Sequence, residues 1–240
     1  AQRAHRVITV SDFSKRDIVE HFQIDPERVQ TIYHGITPGL EPSADKQADR
    51  VRISERYGVS ENFVLYLGTL QPNKNIEGLC AAFQIMKKEG YAGKLILAGA
   101  QGWLFDEMWQ RIASRGHDKD VVLTGFVDSE DIPRLYGTCD AFALVSFLEG
   151  FGIPVIEAMA CGAPVVAADA CSLTEVTADA GLLVNPNDEQ QIADALLSLC
   201  HNSELREKMI ARGFAHAAKF TWRNTAVQHL EAYKIAMQQR

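Results

Sequence analysis

Two rhythms of apolar and polar positions alternate along this chain. Short apolar, β-branched runs stand at Val7–Val10, Val29–Tyr33, Phe63–Leu67, Lys94–Ala98, Val121–Thr124, Ala141–Val145, Pro164–Ala167 and Gly181–Val184. Each has the length of a strand rather than a helix. Between most of them the apolar spacing is helical. In Asn75–Glu89 the residues Ile76, Leu79, Cys80, Phe83 and Met86 follow the i, i+3, i+4, i+7 pattern, and in Asp188–Cys200 the residues Ile192, Leu196 and Leu199 do the same. Strands alternating with helices predict parallel strands joined by crossover helices, hence an α/β, Rossmann-like doubly wound sheet. After Val184 three helical stretches follow. The last carries Trp222, Ala226, Leu230, Tyr233 and Met237 on one stripe, which reads as a packing face.

The rhythm breaks at Thr37–Ala48, where Pro38, Gly39, Pro42 and Ser43 interrupt it. Ahead of the break stands only strand–helix–strand, too little to bury a core alone. Residues 1–37 therefore read as a β-α-β remnant of a preceding domain, 38–48 as a linker, 49–220 as the main domain and 221–240 as a closing helix. Hydrophobic residues make up 47% and charged residues 23% of the 240, an ordinary globular composition. The formal net charge of −7 argues against nucleic-acid binding, which needs a basic face, yet leaves room for one local phosphate site. The five cysteines include no CxxC pair and read as free thiols of a reducing compartment. No apolar run approaches the ~18 residues of a transmembrane helix, and no export signal opens the chain, so the expected location is cytoplasmic.

Two loops carry candidate chemistry. The first, Gly68-Thr69-Leu70-Gln71-Pro72-Asn73-Lys74-Asn75, leaves the run Phe63–Leu67 and leads into a helix. In a parallel sheet it lies at the carboxyl end of a strand, where ligands bind. Asn75 is a candidate side-chain cap. Lys74 sits beside the free N–H groups of a helix start, and it suits either a phosphate or a solvated turn. The second loop, Ser146 to Met159, follows Ala141–Val145 and holds Glu149, Gly150, Gly152, Pro154 and Glu157. Pro154 suits a first helical turn, which puts Glu157 on that helix and Glu149 in the loop before it. Two carboxylates and several N–H donors then reach one small volume, as a sugar joined to a diphosphate requires. A solvated loop charge for Glu149 and a helix-dipole partner for Glu157 are the plainer readings.

The frame Glu149-Gly-Phe-Gly-x-Pro-x-x-Glu157-Ala-Met-Ala, its two glutamates separated by seven residues, resembles the signature of the GT-B glycosyltransferases of family 4. Tyr66-Leu-Gly-Thr-Leu with Lys74-Asn75, Leu97-Ala-Gly-Ala-Gln-Gly-Trp103, Leu123-Thr-Gly-Phe-Val127, Cys161-Gly-Ala-Pro-Val-Val166 and Asp179-Ala-Gly-Leu-Leu-Val-Asn-Pro186 resemble it too, and Val10-Ser11-Asp12-Phe13-Ser14 resembles the end of the family's first domain. The resemblance implies the C-terminal, donor-binding half of a GT-B fold and a retaining transfer of a hexose, such as mannose, from a nucleotide-diphosphate sugar to a glycan or lipid-linked acceptor. It implies that no metal or other cofactor is needed. It makes Glu149 and Lys74 the catalytic pair, and Gly68, Thr69, Lys74, Phe126, Val127, Glu149, Gly150, Phe151, Gly152 and Glu157 the donor-binding set. Within that set Glu149 meets the sugar, Glu157 the ribose, Lys74 the phosphate and Gly125-Phe126-Val127 the base. Many family members have arginine where this chain has Thr69, and relatives with Gly-Thr-Leu often have a basic residue where this chain has Asn73.

The resemblance further implies an acceptor-binding N-terminal domain or a second copy as partner, a closing helix that reaches back toward it, and peripheral membrane attachment as an option for the full-length protein. Other readings stay open: a nucleotide-sugar-binding subunit without activity of its own, a retaining glycosidase pair, or a nucleotide-sugar epimerase. Asp118-Lys119-Asp120 matches a metal motif of another glycosyltransferase fold, but it precedes a strand rather than following one, so it reads as a solvated loop.

Overall fold

A computed structural model describes residues 1, 3–59 and 62–238. Six strands form one parallel sheet: β3 (Phe63–Leu67), β4 (Lys94–Ala98), β5 (Val121–Gly125), β6 (Ala141–Leu144), β7 (Val165–Ala168) and β8 (Leu182–Val184). A separate parallel pair joins β1 (Val7–Thr9) to β2 (Val29–Thr31) in the register Val7 to Val29. Burial on both faces explains the unbroken apolar composition of the central strands; every residue of β6 and β7 is buried.

The order across the large sheet is β5-β4-β3-β6-β7-β8. The chain thus starts in the middle, builds outward through β4 and β5, then crosses back to the other side of β3. Right-handed crossovers running in opposite directions put their helices on opposite faces. Helix contacts sort accordingly. One layer holds α3 (Ile76–Lys88), α4 (Phe105–Ser114) and α8 (Glu189–His201). The other holds α2 (Lys46–Tyr57), α5 (Ile132–Thr138), α6 (Ile153–Ala160), α7 (Cys171–Thr177) and α9 (Ser203–Ala217). All five α3 positions of the helical pattern are buried, as are Ile192, Leu196 and Leu199 of α8.

Several elements depart from the sequence reading. Helix α2 begins at Lys46, inside the segment read as linker, because the Asp45 carboxylate accepts from the N–H groups of Gln47 and Ala48. Asn75 does not cap α3 with its side chain; it takes a left-handed backbone and its Nδ2 donates to the carbonyls of Val145 and Pro186. On α10 (Trp222–Gln238) the residues Thr225 and Ala232 are buried, whereas Trp222, Leu230, Tyr233 and Met237 face solvent. The helix packs through small side chains and leaves its large apolar ones uncovered.

Helix α1 (Asp12–Phe22) ties the small sheet to the large one. Its first N–H, from Asp12, donates to the Glu175 carboxylate on α7, at 2.9 Å to one oxygen.

Candidate functional site

The strand order reverses between β3 and β6, and the crevice at such a reversal is the ligand site of open α/β sheets. The two candidate loops leave these two strands. They are stitched together by the Phe147 N–H, which donates to the Asn73 carbonyl at 3.0 Å. Asn75 adds a second tie, from the start of α3 to the exits of β6 and β8.

The five helices that follow β3 to β7 all begin without a side-chain cap. Elsewhere α2, α8 and α9 each begin with an Asp or Asn cap. No capping side chain holds the first N–H groups of α3 and α6; in α6 Pro154 has none and the Val155 N–H donates to the Gly152 carbonyl at 3.0 Å, which leaves the Ile153 N–H, with the helix dipole, for an anion. At the start of α6, Gly152 has φ 105°, a conformation that side-chain-bearing residues avoid, and a Cβ there would come within 2.6 Å of Leu173 Cδ2.

Between the loops lies a cleft of about 380 Å³. Gly68, Thr69 and Lys74 line it from the β3 side, and Glu149, Gly150, Phe151 and Gly152 from the β6 side. Lys74 Nζ donates to Glu149 Oε1 at 2.8 Å, and Ser146 Oγ donates to the same oxygen at 2.9 Å. Both members of the ion pair are largely shielded, with side chains 18% and 14% exposed. The loop backbone is fixed by Ser172 Oγ, which bridges the carbonyls of Glu149 and Phe151 at 2.8 and 3.0 Å.

A second chamber of about 280 Å³ shares Gly68 and Thr69 with the first and extends toward β4 and β5. Ala98, Val127 and Ile132 give it an apolar floor, and Phe126, 81% exposed, stands at its mouth. A chamber holding a cation, a carboxylate and the uncapped start of α6 thus adjoins a more apolar one. The pair has the shape and chemistry of a phosphate site beside a site for a planar ring.

Glu157 lies outside the walls of both chambers. It is buried on α6, and Thr37 Oγ1 donates to its Oε1. Burial raises its pKa above the usual carboxylate range, partly offset by the Thr37 bond. The structure therefore joins Lys74 and Glu149 directly and sets Glu157 on the helix behind them, under the strap that leads from the small sheet. Burial, with Glu149 adding to it, pushes the Tyr66 phenol upward; its hydroxyl donates to the Thr69 carbonyl and holds the turn.

Ser146, Ser172 and Val10 carry no individual signal in the sequence, and His34, whose lack of metal-ligand spacing reads as a surface or core role, lines the cleft instead. The two serines had no spacing to mark them, since each acts on a neighbour brought close only by the fold. Val10 and His34 line the cleft from before the linker. A clue stood in the sequence, for both end strand-like runs at what becomes the same sheet edge. Asp120 is held by Lys94 and Lys87, and the Lys94 bond chiefly lowers its pKa. Among the described residues no cluster of three or more His, Cys, Asp or Glu is placed to hold a metal ion, and no helix is long and apolar enough to cross a membrane.

Residues 48–216 match the family Glycosyl transferases group 1, and residues 1–40 match Glycosyltransferase Family 4. The chain is 37% identical over 234 residues to O-antigen chain mannosyltransferase B of Escherichia coli, covering 97% of this chain and 61% of that protein. It is 29% identical over 242 residues to the serotype-specific mannosyltransferase WbdA of the same species, covering 99% of this chain and 29% of that protein. The crystal structure of Anabaena Alr3699/HepE in complex with UDP and glucose superposes with a TM-score of 0.85 at 26% identity, over 96% of this chain and 63% of the other. The chain thus spans less than two thirds of the length of these relatives.

Proposed function

The chain belongs to the group 1 glycosyl transferases, and from that membership we propose that it is the donor-binding part of a retaining enzyme that moves mannose from a nucleotide-diphosphate sugar to a glycan or lipid-linked acceptor. The observation that carries this reading is the meeting of Lys74 and Glu149 at the reversal between β3 and β6. Mannose is chosen because two relatives over nearly the whole chain are mannosyltransferases.

In the free chain each member of the pair compensates the other. Arrival of a donor exchanges partners: Lys74 turns to the diphosphate and Glu149 to the sugar hydroxyls. The base lies in the apolar chamber by Val127, with Phe126 at its edge, and the phosphates meet the uncapped start of α6. Glu157 takes a ribose hydroxyl in place of that of Thr37. As the glycosidic bond breaks, negative charge grows on the leaving diphosphate. Donors fixed in advance then stabilise the transition state more than the bound donor. The glycosidase reading loses ground here, because a lysine beside a helix start has no task in simple glycoside hydrolysis.

The test is a thermal-shift panel of nucleotide sugars that includes GDP-mannose and UDP-glucose. A ligand at about 100 times its Kd stabilises by about 2.7 kcal/mol, well within reach of the measurement. One nucleotide sugar and its parent diphosphate should raise the melting temperature. A panel without any shift would overturn the proposal. Transfer from the bound donor, followed by the anomeric configuration of the product by NMR, decides between a retaining enzyme and a binding subunit.

A further inference from the structure

The donor-binding reading leaves one cleft residue without a task. Four lining side chains can donate a hydrogen bond: His34, Tyr66, Thr69 and Lys74. Tyr66 is spent on the Thr69 carbonyl, and Lys74 on Glu149. His34 and Lys74 are the only two of the four that can carry positive charge, and neither ring nitrogen of His34 has a hydrogen-bond partner among the described residues. A nucleoside diphosphate carries more negative charge than one lysine balances.

The position of His34 is built with care. Its ring meets the Phe151 ring edge-on, 5.5 Å between centroids at 83°, and leans on Trp222 at 5.9 Å. The backbone on either side is fixed. Thr225 Oγ1 donates to the Tyr33 carbonyl at 2.8 Å, and the Ile36 N–H donates to the Phe220 carbonyl at 3.1 Å. Gly35 allows the chain to lie directly against α10, for a Cβ there would fall 2.3 Å from the Trp222 nitrogen. His34 lines the cleft on one side and a smaller cavity beside Glu175 and His216 on the other; a ring packed against two aromatic neighbours with both nitrogens unspent is available as a preorganised ligand group.

We propose that His34 is a second phosphate-binding residue, donating a ring N–H to the distal phosphate of the nucleoside diphosphate in the cleft that it shares with Lys74. The proposal rests on the donor-binding reading above and adds to it a contact from the segment before the linker.

Isothermal titration of GDP, UDP, GMP and UMP into wild type, His34→Ala, His34→Gln and Lys74→Ala tests it, with melting temperatures recorded for each. A hydrogen bond to a charged group predicts that His34→Ala weakens the preferred diphosphate about tenfold or more and leaves its monophosphate nearly unchanged. His34→Gln keeps a neutral N–H and similar bulk, so its loss should be smaller, about threefold. If His34→Ala folds poorly, the diphosphate-to-monophosphate affinity ratio of His34→Gln carries the test and must fall. Equal losses for mono- and diphosphate would make His34 a packing residue and overturn the proposal. Loss in Lys74→Ala without loss in either His34 variant would overturn it while leaving the donor reading intact. Absence of diphosphate binding to wild type, or no effect of Lys74→Ala, would bring down the donor reading and this proposal together.

Discussion

Lys74 Nζ and Glu149 Oε1 stand 2.8 Å apart although 75 positions separate the two residues in sequence. The contact spans the gap between β3 and β6, so the free chain already holds its cation and its carboxylate where a charged ligand would need them. Because the two ions shield each other, the proposed donor would exchange partners rather than meet two fully hydrated groups.

Replacing Lys74 by alanine removes the cation to which the proposed function gives the diphosphate. Diphosphate affinity should fall by about 1.5–3 kcal/mol, or roughly ten- to 150-fold, by calorimetry. Stability should fall by only about 1 kcal/mol, since Ser146 Oγ still serves Glu149 Oε1. A large drop in melting temperature with unchanged affinity would reverse the assignment.

Glu149→Ala separates sugar from phosphate. It removes the carboxylate proposed to accept from the sugar hydroxyls and at the same time frees Lys74 from its partner. Binding of the nucleotide sugar should weaken, whereas the bare diphosphate should bind as well as before or better. Titrating both ligands into the variant reads this directly. Parallel losses would speak against a sugar contact.

Glu157 makes a prediction about pH. Burial raises its pKa in the folded chain, so in the interval above the ordinary carboxylate pKa the folded state holds a proton that the unfolded state has released. Stability from this group is full below the unfolded pKa and is lost as pH rises through the folded one. Glu157→Gln keeps an acceptor for Thr37 Oγ1 and cannot titrate. Its melting temperature should therefore gain on wild type as pH climbs from about 4 to 7, in the direction set by linkage. Parallel curves would show that Glu157 does not sense its burial.

Asp131 anchors the helix that leaves the apolar chamber. Its side chain is fully buried; it accepts from Arg52 and Arg56 at 2.7 Å each and from Tyr57 at 3.0 Å. Burial opposes its charge, but Arg52, Tyr57 and Arg56 overcome that and lower its pKa. Asp131→Ala should cost about 2–4 kcal/mol in denaturant unfolding, because three donors lose one acceptor. Ile132, next in sequence, lines the chamber assigned to the base, so nucleotide affinity should drop as well.

Much of the fold was legible because buried parallel strands write themselves as unbroken apolar runs. All eight runs are strands, and β3 and β4 begin and end where the pattern put them. Helix α2 was not legible: Ile53 is its only fully buried residue, and its hold on α5 is largely polar, through Arg52 and Arg56. The stripe on α10 shows a different limit. Helical spacing identifies which residues share a face but not whether anything meets that face: Trp222 is half covered by His34 and Gly35, while Leu230, Tyr233 and Met237 stay mostly exposed. At the site, the two loops could be placed at strand ends from sequence alone. Their adjacency followed only from the family resemblance, not from spacing, since it depends on β6 returning to the side of β3. The residue type of Asn75 suits a cap; the nearby carbonyls of Val145 and Pro186, supplied by distant segments, claim its amide instead.

The two ends of the chain cannot be trimmed independently. A truncation stopping at Phe220 would keep every strand of the large sheet and both candidate loops. It would also strip away the Thr225 bond to Tyr33 and the surface on which Gly35 rests. His34 would then lose its backing and drift. Anyone shortening the protein to a minimal nucleotide binder should retain Trp222 to Ala232, and accept the greasy outer face of that helix as the cost of keeping the opposite wall of the cleft upright.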